Sequence, residues 1–272
     1  MPKTPPDPPP DYAETFRARG NEVDCHDRAS CAAFGNWMME VAGVHAAQLG
    51  ISVERLNAAG WGWALSRLVM ECGEMPKAGE KARLRTWPSR LERLQFRRDF
   101  FLYDMTGQII ARAVTFWVIM DLSTRKLLRM PPEYRTLLRG EPELAMDVEK
   151  SALSRLPLPE AALASEARIL ARRADLDMNR HVSSVRYMDW IMEAVPQSVW
   201  EGCRLRRLEM LYRAEMARGE AIARCMAVQL PDAPAGEHVF AADMRTREND
   251  AEREVLRALM YWQPLVDNSV AH

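Results

Sequence analysis

The chain has 272 residues, 48% of them hydrophobic and 28% charged, with a formal net charge of -1. Such a chain can bury one or two substantial cores. The near-neutral charge offers no basic field for nucleic acid, and no run is apolar enough to span a bilayer.

Residues 1–10, Met1-Pro-Lys-Thr-Pro-Pro-Asp-Pro-Pro-Pro10, read as an extended or disordered tail. They lack the apolar centre of a secretory signal. The five cysteines (Cys25, Cys31, Cys72, Cys203, Cys225) are scattered with no C-x-x-C pair. Neither a zinc site nor a disulfide framework is expected, and a reducing cytoplasm is the simplest location.

Tyr12 to Glu22 reads as a first strand. Ser30 to Leu49 has the helical period in Phe34, Trp37, Met38, Val41 and Val44, with Gly50 suited to its end. Four β-rich runs follow: Trp63 to Glu71, Lys81 to Trp87, Gln95 to Tyr103 and Ile109 to Met120, the last two joined by the turn Asp104 to Gly107. Met130-Pro131-Pro132 ends the sheet. After a charged, weakly periodic stretch the plan restarts. Ser165 to Asp175 is a first strand, and Val182 to Val195 a helix ended near Pro196. Arg207 to Met216, Glu220 to Leu230, Glu237 to Arg247 and Glu254 to Trp262 are four more strands, with a turn at Glu248-Asn-Asp250.

This is an internal repeat. Asp24 and Asp177, Trp37 and Trp190, and Glu40 and Glu193 all stand 153 apart; Gly79-Glu80 and Gly219-Glu220 stand 140 apart; Trp117 and Trp262 stand 145 apart. The offset changes only where loops lie. A strand, a long helix and four strands, given twice, predict an α+β fold of two fused hotdog domains, each a long helix on an antiparallel sheet. The expected boundaries are a tail at 1–10, an N-terminal hotdog at 11–132, a linker at 133–158 and a C-terminal hotdog at 159–272.

The second helix is preceded by an acid, an amide and an imidazole at alternate positions: Asp177, Asn179 and His181. Polar groups at a helix mouth can serve a reaction that develops an oxyanion. The same residues can also be plain caps. Taken singly, His181 reads as a satisfied histidine, and Glu215 as part of a solvated row with Glu209 and Arg213. The repeat weighs against that reading. The first copy has Asp24, His26 and Arg28 at the helix mouth and Met75 where the second has Glu215, so one copy alone carries the full polar set.

At these residues the chain resembles the acyl-acyl carrier protein thioesterases of plants and bacteria. Asp175 to Ile191 is similar to their D-L-D-x-N-x-H-V-N-N-x-x-Y-x-x-W-I block, and Met210 to Met216 to L-E-Y-R-R-E-C. Trp63 to Arg67, Arg98-Asp99, Thr115 to Met120 and Thr124 to Pro131 resemble further blocks in the same order, so the likeness runs from about Tyr12 to Pro264. It implies hydrolysis of a fatty acyl thioester to free acid and carrier thiol, with Asp177, Asn179, His181 and Glu215 as the catalytic set and no metal or organic cofactor. Glu215 and His181 would orient and deprotonate water, Asn179 would position water or carbonyl, Asp177 would hold Asn179 or the turn, and the helix start near Ser183 would face the oxyanion. Which of Glu215 and His181 is the base stays open, as does direct attack by a carboxylate. The acyl chain is expected near the first helix, with Trp61 and Trp63 as lining.

Two departures stand out. The family's cysteine falls on Met216, which supplies no thiolate, and the first glutamate of the L-E-Y block falls on Leu211. The implied partner is an acyl carrier protein, with neither nucleic acid nor membrane, and the protein is expected to be a cytoplasmic monomer or homodimer. Arg83, Arg85, Arg90, Arg93, Arg97 and Arg98 suggest a basic patch for an acidic carrier. A thioesterase acting on coenzyme A esters and a non-catalytic acyl-binding protein are the alternatives. A hotdog hydratase is a remote fourth.

Overall fold

The computed structural model describes residues 10–92, 94–138, 143–148, 153, 156, 158, 162–230, 236–248 and 251–265. In the first half, strand β1 (Tyr12–Arg17) leads to helix α1 (Cys31–Gln48) and a short helix α2 (Val53–Ala58). Strands β2 (Trp61–Cys72), β3 (Lys81–Leu91), β4 (Phe96–Tyr103), β5 (Ile109–Asp121) and the two-residue β6 (Leu127–Leu128) follow. The second half repeats the order with β7 (Leu163–Leu170), helices α3 (Arg186–Met192) and α4 (Gln197–Gly202), and strands β8 (Cys203–Tyr212), β9 (Glu220–Ala227), β10 (His238–Glu248) and β11 (Ala251–Pro264).

All the pairings are antiparallel, and they join both halves into one sheet of order β1-β3-β4-β5-β2-β8-β11-β10-β9-β7, with β6 beside β5. Read from the centre outward the two sides are the same, β2-β5-β4-β3-β1 against β8-β11-β10-β9-β7. The repeat in the sequence is therefore a pseudo-twofold in space, and its axis passes through the β2–β8 pairing at Val69 and Glu209. Glu209, on the row read as solvated, is buried there, its carboxylate 3.0 Å from Arg67 Nε across the join.

Helix α1 forms where Ser30 caps it, its side chain accepting the Ala33 N–H at 3.1 Å, and Gly50 in the left-handed region (φ 74°) follows its end. Its apolar stripe of Phe34, Trp37, Met38 and Val41 is buried against the sheet. Each such side chain contributes about 1.5–3 kcal/mol by leaving water.

The second half departs from expectation. Its helix α3 has seven residues where α1 has eighteen. Ala194 and Val195 donate back three residues to Ile191 and Met192, so the chain tightens and then stops at Pro196, which opens α4. Proline has no N–H and disfavours helix in the residue before it. The matching position of the first half, at the offset of 153, is Gly43, inside α1. The two helices meet on one face of the sheet, where a Cβ on Gly35 would lie 2.8 Å from Met188 Sδ.

Residues 143–148, within the stretch expected to be a linker, are fastened to the outer face of the first half. Trp87 Nε1 donates to the Glu143 carbonyl (2.7 Å), Ala145 N–H to Asp99 Oδ1 (2.8 Å) and Arg97 Nη2 to the Met146 carbonyl (2.6 Å). With α1 on one side and this segment on the other, β4 is buried on both faces along all but its last residue. A 3-10 turn at Pro132–Leu137 begins that stretch. The tip of the expected turn at Glu248-Asn-Asp250, residues 249–250, lies outside the described residues.

Candidate active site

The loop before α3 is built by one carboxylate. Asp177 donates its N–H to the His181 carbonyl (2.8 Å), accepts Arg180 N–H on its own carbonyl (3.0 Å), and takes the Asn179 and His181 N–H groups on Oδ1 at 2.8 and 3.2 Å. Leu176 and Val182 bridge its base, and Arg180 is left-handed at φ 64°. The first half builds the same loop with Asp24. Its Oδ1 takes His26 and Arg28 N–H at 2.9 and 3.1 Å, and Asp27 stands at φ 54°. The offset of 153 is thus a hydrogen-bond pattern as well as a spelling.

The second loop is held from below by Asp175, 1% exposed, whose carboxylate meets Arg172 at 2.8 Å and Arg186 at 3.7 Å. The Arg172 hydrogen bond keeps this carboxyl below its ordinary range. The Asp175 carbonyl takes the Ser183 N–H at 2.9 Å. That corrects an expectation. The Ser183 amide is already engaged and does not face a reacting carbonyl, and α3 begins three residues later, at Arg186.

Glu215 arrives by a different route from the one expected. Strand β8 ends at Tyr212, and residues 213–217 leave the sheet. Met216 dips into the core, 2% exposed, and its carbonyl accepts the Val182 N–H at 2.8 Å, while Arg253 Nη2 donates to the Glu215 carbonyl at 2.5 Å. These ties set Glu215 Oε2 3.4 Å from His181 Nδ1, with both side chains about one-third exposed. The same oxygen receives the Arg125 guanidinium from the β5–β6 turn of the first half. In the first half Ala29 N–H meets the Pro76 carbonyl in the same manner, but Arg28 Nη1 lies on the Met75 carbonyl at 2.9 Å. His26 Nε2 there faces the Trp200 carbonyl at 3.2 Å.

The four expected residues thus divide. His181 and Glu215 meet. Asn179 sits exposed on the same loop, its side chain without a hydrogen bond among the described residues. Asp177 is occupied as the loop's clamp. Arg125 was missed: it lies 90 residues from Glu215, and its Thr124-Arg-Lys block had been matched for likeness alone. Tyr187, which stands where the first half has Phe34, was also passed over. Its hydroxyl is buried near the Met216 backbone, and burial pushes it up to about 12. Two cavities, of about 120 and 240 Å³, open beside the first half's loop at Asp24, His26 and Cys31 rather than at the His181–Glu215 pair.

Residues 9–138 match the acyl-ACP thioesterase N-terminal domain and residues 160–262 the C-terminal domain. The chain belongs to the acyl-ACP thioesterase family. It is 32% identical over 224 residues to the chloroplastic oleoyl-acyl carrier protein thioesterase 2 of Arabidopsis thaliana, a match covering 78% of this chain and 61% of that protein. It therefore spans about three-fifths of that curated relative. An acyl-ACP thioesterase structure from Bacteroides thetaiotaomicron superposes with a TM-score of 0.79 at 29% identity, covering 93% of this chain and 98% of the other. The 12:0-ACP thioesterase of Umbellularia californica has the same fold, with a TM-score of 0.79 at 24% identity over 94% and 97% of the two chains. These likenesses establish the double hotdog fold.

Within this acyl-ACP thioesterase fold the thiols are poor nucleophiles. Burial raises Cys25, Cys31 and Cys203 above their ordinary range and pushes Cys72 and Cys225 up to about 12. The expected arginine patch does not form as one surface. Arg97 is buried with Asp99 at 2.7 Å, and Arg98 is buried with its Nη1 3.0 Å from His45 Nδ1, burial alone lowering it to about 10. Arg85 is paired with Asp11 at 2.6 Å, Arg93 lies outside the described residues, and Arg83 and Arg90 are exposed. No helix among the described residues is long and apolar enough to cross a membrane.

Proposed function

We propose that this chain hydrolyses fatty acyl thioesters carried on an acyl carrier protein, releasing the fatty acid and the carrier thiol, as a step of fatty acid biosynthesis. The observation that carries this reading is the His181–Glu215 pair at 3.4 Å, built in the second half alone. The family gives the thioester and the carrier.

In this reading His181 donates Nδ1–H toward Glu215 and keeps Nε2 as the acceptor, so Nε2 is the base and Glu215 orients the ring. Water loses a proton to Nε2 as its oxygen bonds to the thioester carbon. The carbonyl oxygen becomes an oxyanion, for which the exposed amide of Asn179 is the available donor once the Ser183 N–H is engaged. Collapse breaks the C–S bond, and the thiolate takes the proton from the imidazolium. Asp177 acts by holding the loop. The acyl chain lies in the first half, by the α1 face and the half-buried Trp61 and Trp63. The cysteines, all five unpaired, suit a cytoplasmic location. One chain supplies both halves of the sheet, so a monomer suffices and a homodimer is compatible.

The test is a rate panel of acyl carriers of varied chain length, each against its coenzyme A ester. Faster turnover on the carriers supports the reading. Preference for coenzyme A esters moves it to that class, and binding without hydrolysis refutes it.

A further inference from the structure

We propose that Arg125, a residue of the first half, is a positioning residue for the catalytic carboxylate of the second. The proposal rests on the role given to Glu215 above and adds to it a part that must come from the other half. The Arg125 guanidinium lies on Glu215 Oε2, the oxygen that also faces His181 Nδ1. Among the described residues these two are the only partners of the carboxylate. A glutamate side chain turns about three bonds, and a guanidinium on one oxygen restricts all of them. Removing it leaves Glu215 tied only to the ring it is meant to orient.

The turn that carries Arg125 is rigid. Asp121 Oδ1 accepts Ser123 N–H (3.0 Å), the Ser123 hydroxyl (2.7 Å) and Thr124 N–H (2.7 Å), which holds its carboxyl down at about 2. Asp121 also donates its N–H to the Lys126 carbonyl and accepts Arg125 N–H on its own, both at 2.9 Å. Arg125 sits at φ 59°, in the left-handed region. The next turn back along the chain places a glycine there, Gly107 at φ 91°. Glycine would relieve the backbone at 125. The arginine adds no compensating burial, since its side chain is 47% exposed, and exposed ion pairs stabilise little. What its side chain gains is reach across the join to Glu215.

The test uses Arg125→Gly, Arg125→Lys, Glu215→Gln and the double variant Arg125→Gly/Glu215→Gln in the full chain. Each is assayed for kcat and KM on an acyl carrier and on a short carrier-free thioester, with thermal midpoints. Arg125→Gly should keep or raise the midpoint, lower kcat by about tenfold or more on both substrates and leave KM within about twofold. Arg125→Lys should recover part of the loss. In the Glu215→Gln background, Arg125→Gly should cost less than about twofold further, because the two groups act as a unit. Wild-type kcat in Arg125→Gly, or an equal loss with and without Glu215, overturns the proposal while the reading of Glu215 stands. Wild-type kcat in Glu215→Gln overturns both.

Discussion

The two halves share one loop and differ in what hangs from it. Asp24 and Asp177 each take two backbone N–H groups on one carboxylate oxygen and close the same bridge below. From that common backbone the first half projects His26 onto a carbonyl and Arg28 onto another, while the second leaves Asn179 exposed and brings His181 to Glu215. The acid common to both copies builds the loop in each, and in the proposed reading the residues that differ between them carry the chemistry. The asymmetry between the copies therefore lies not at Asp177 but at positions 179, 181 and 215.

The largest expected effect breaks the helix comparison. Gly43 in α1 and Pro196 after α3 occupy matching positions. Gly43→Pro should remove a helix hydrogen bond and clash with the preceding turn, destabilising the fold by about 3 kcal/mol or more in chemical denaturation. Pro196→Gly should cost well under half as much, since the chain there already leaves the helix. Equal losses would mean that the two positions are not structural counterparts.

Next is the site itself. His181→Ala and Glu215→Ala should each lower turnover by about 100-fold or more, the scale of a positioned acid or base. Arg28→Ala, at the first-half counterpart of His181, and His26→Ala, at that of Asn179, should stay within a few-fold. Folded variants of the second half with near-normal rates would remove the assignment, and a large loss from the first-half variants would relocate the chemistry to the cavities beside Asp24.

Much of this was legible before the structure, and the reasons for the rest are local. Apolar period and matched residues gave the repeated elements. Periodicity could not show where β8 ends, because Tyr212, Ala214 and Met216 continue its alternation. Met216 is buried, but under the loop rather than in the sheet. Nor could alternation show which β4 face meets solvent. Both are covered, one by α1 and one by residues 143–148, so Arg97 and Arg98 are interior. Arg125 had no local signal, since its partner comes 90 residues later through a pairing that only the continuous sheet creates.

A smaller effect separates clamp from catalyst at Asp177. Asp177→Asn keeps an oxygen where Oδ1 accepts the Asn179 and His181 N–H groups, so turnover should stay within a few-fold. Asp177→Ala loses that acceptor and should cost about 1 kcal/mol of stability and about tenfold in turnover, through the displaced His181. Asp24→Ala should cost the same stability and little turnover. If Asp177→Asn is as damaging as Asp177→Ala, the charge itself takes part and the scaffold reading of this acid fails.

The smallest expected effect concerns sulfur. Met216 stands where the family's cysteine falls, and it is buried with its backbone, not its side chain, tied to the loop. The five thiols lie elsewhere, and burial holds each above its ordinary range, so little thiolate is present at neutral pH. Replacing all five by alanine should therefore leave turnover within a few-fold. Stability should fall more than activity, because Cys72, Cys203 and Cys225 fill the core as small apolar groups. A methyl cannot replace the volume of a sulfur, and the cost is a packing cost shared by both halves rather than one borne by the site. The informative comparison is Met216→Cys. Beside Glu215 it would restore a thiol at the family position, yet the position's burial predicts no acyl-enzyme. A stable acyl group on that cysteine, seen by mass spectrometry of the intact protein, would show that the loop opens during turnover and that water attack is not the only route the site permits.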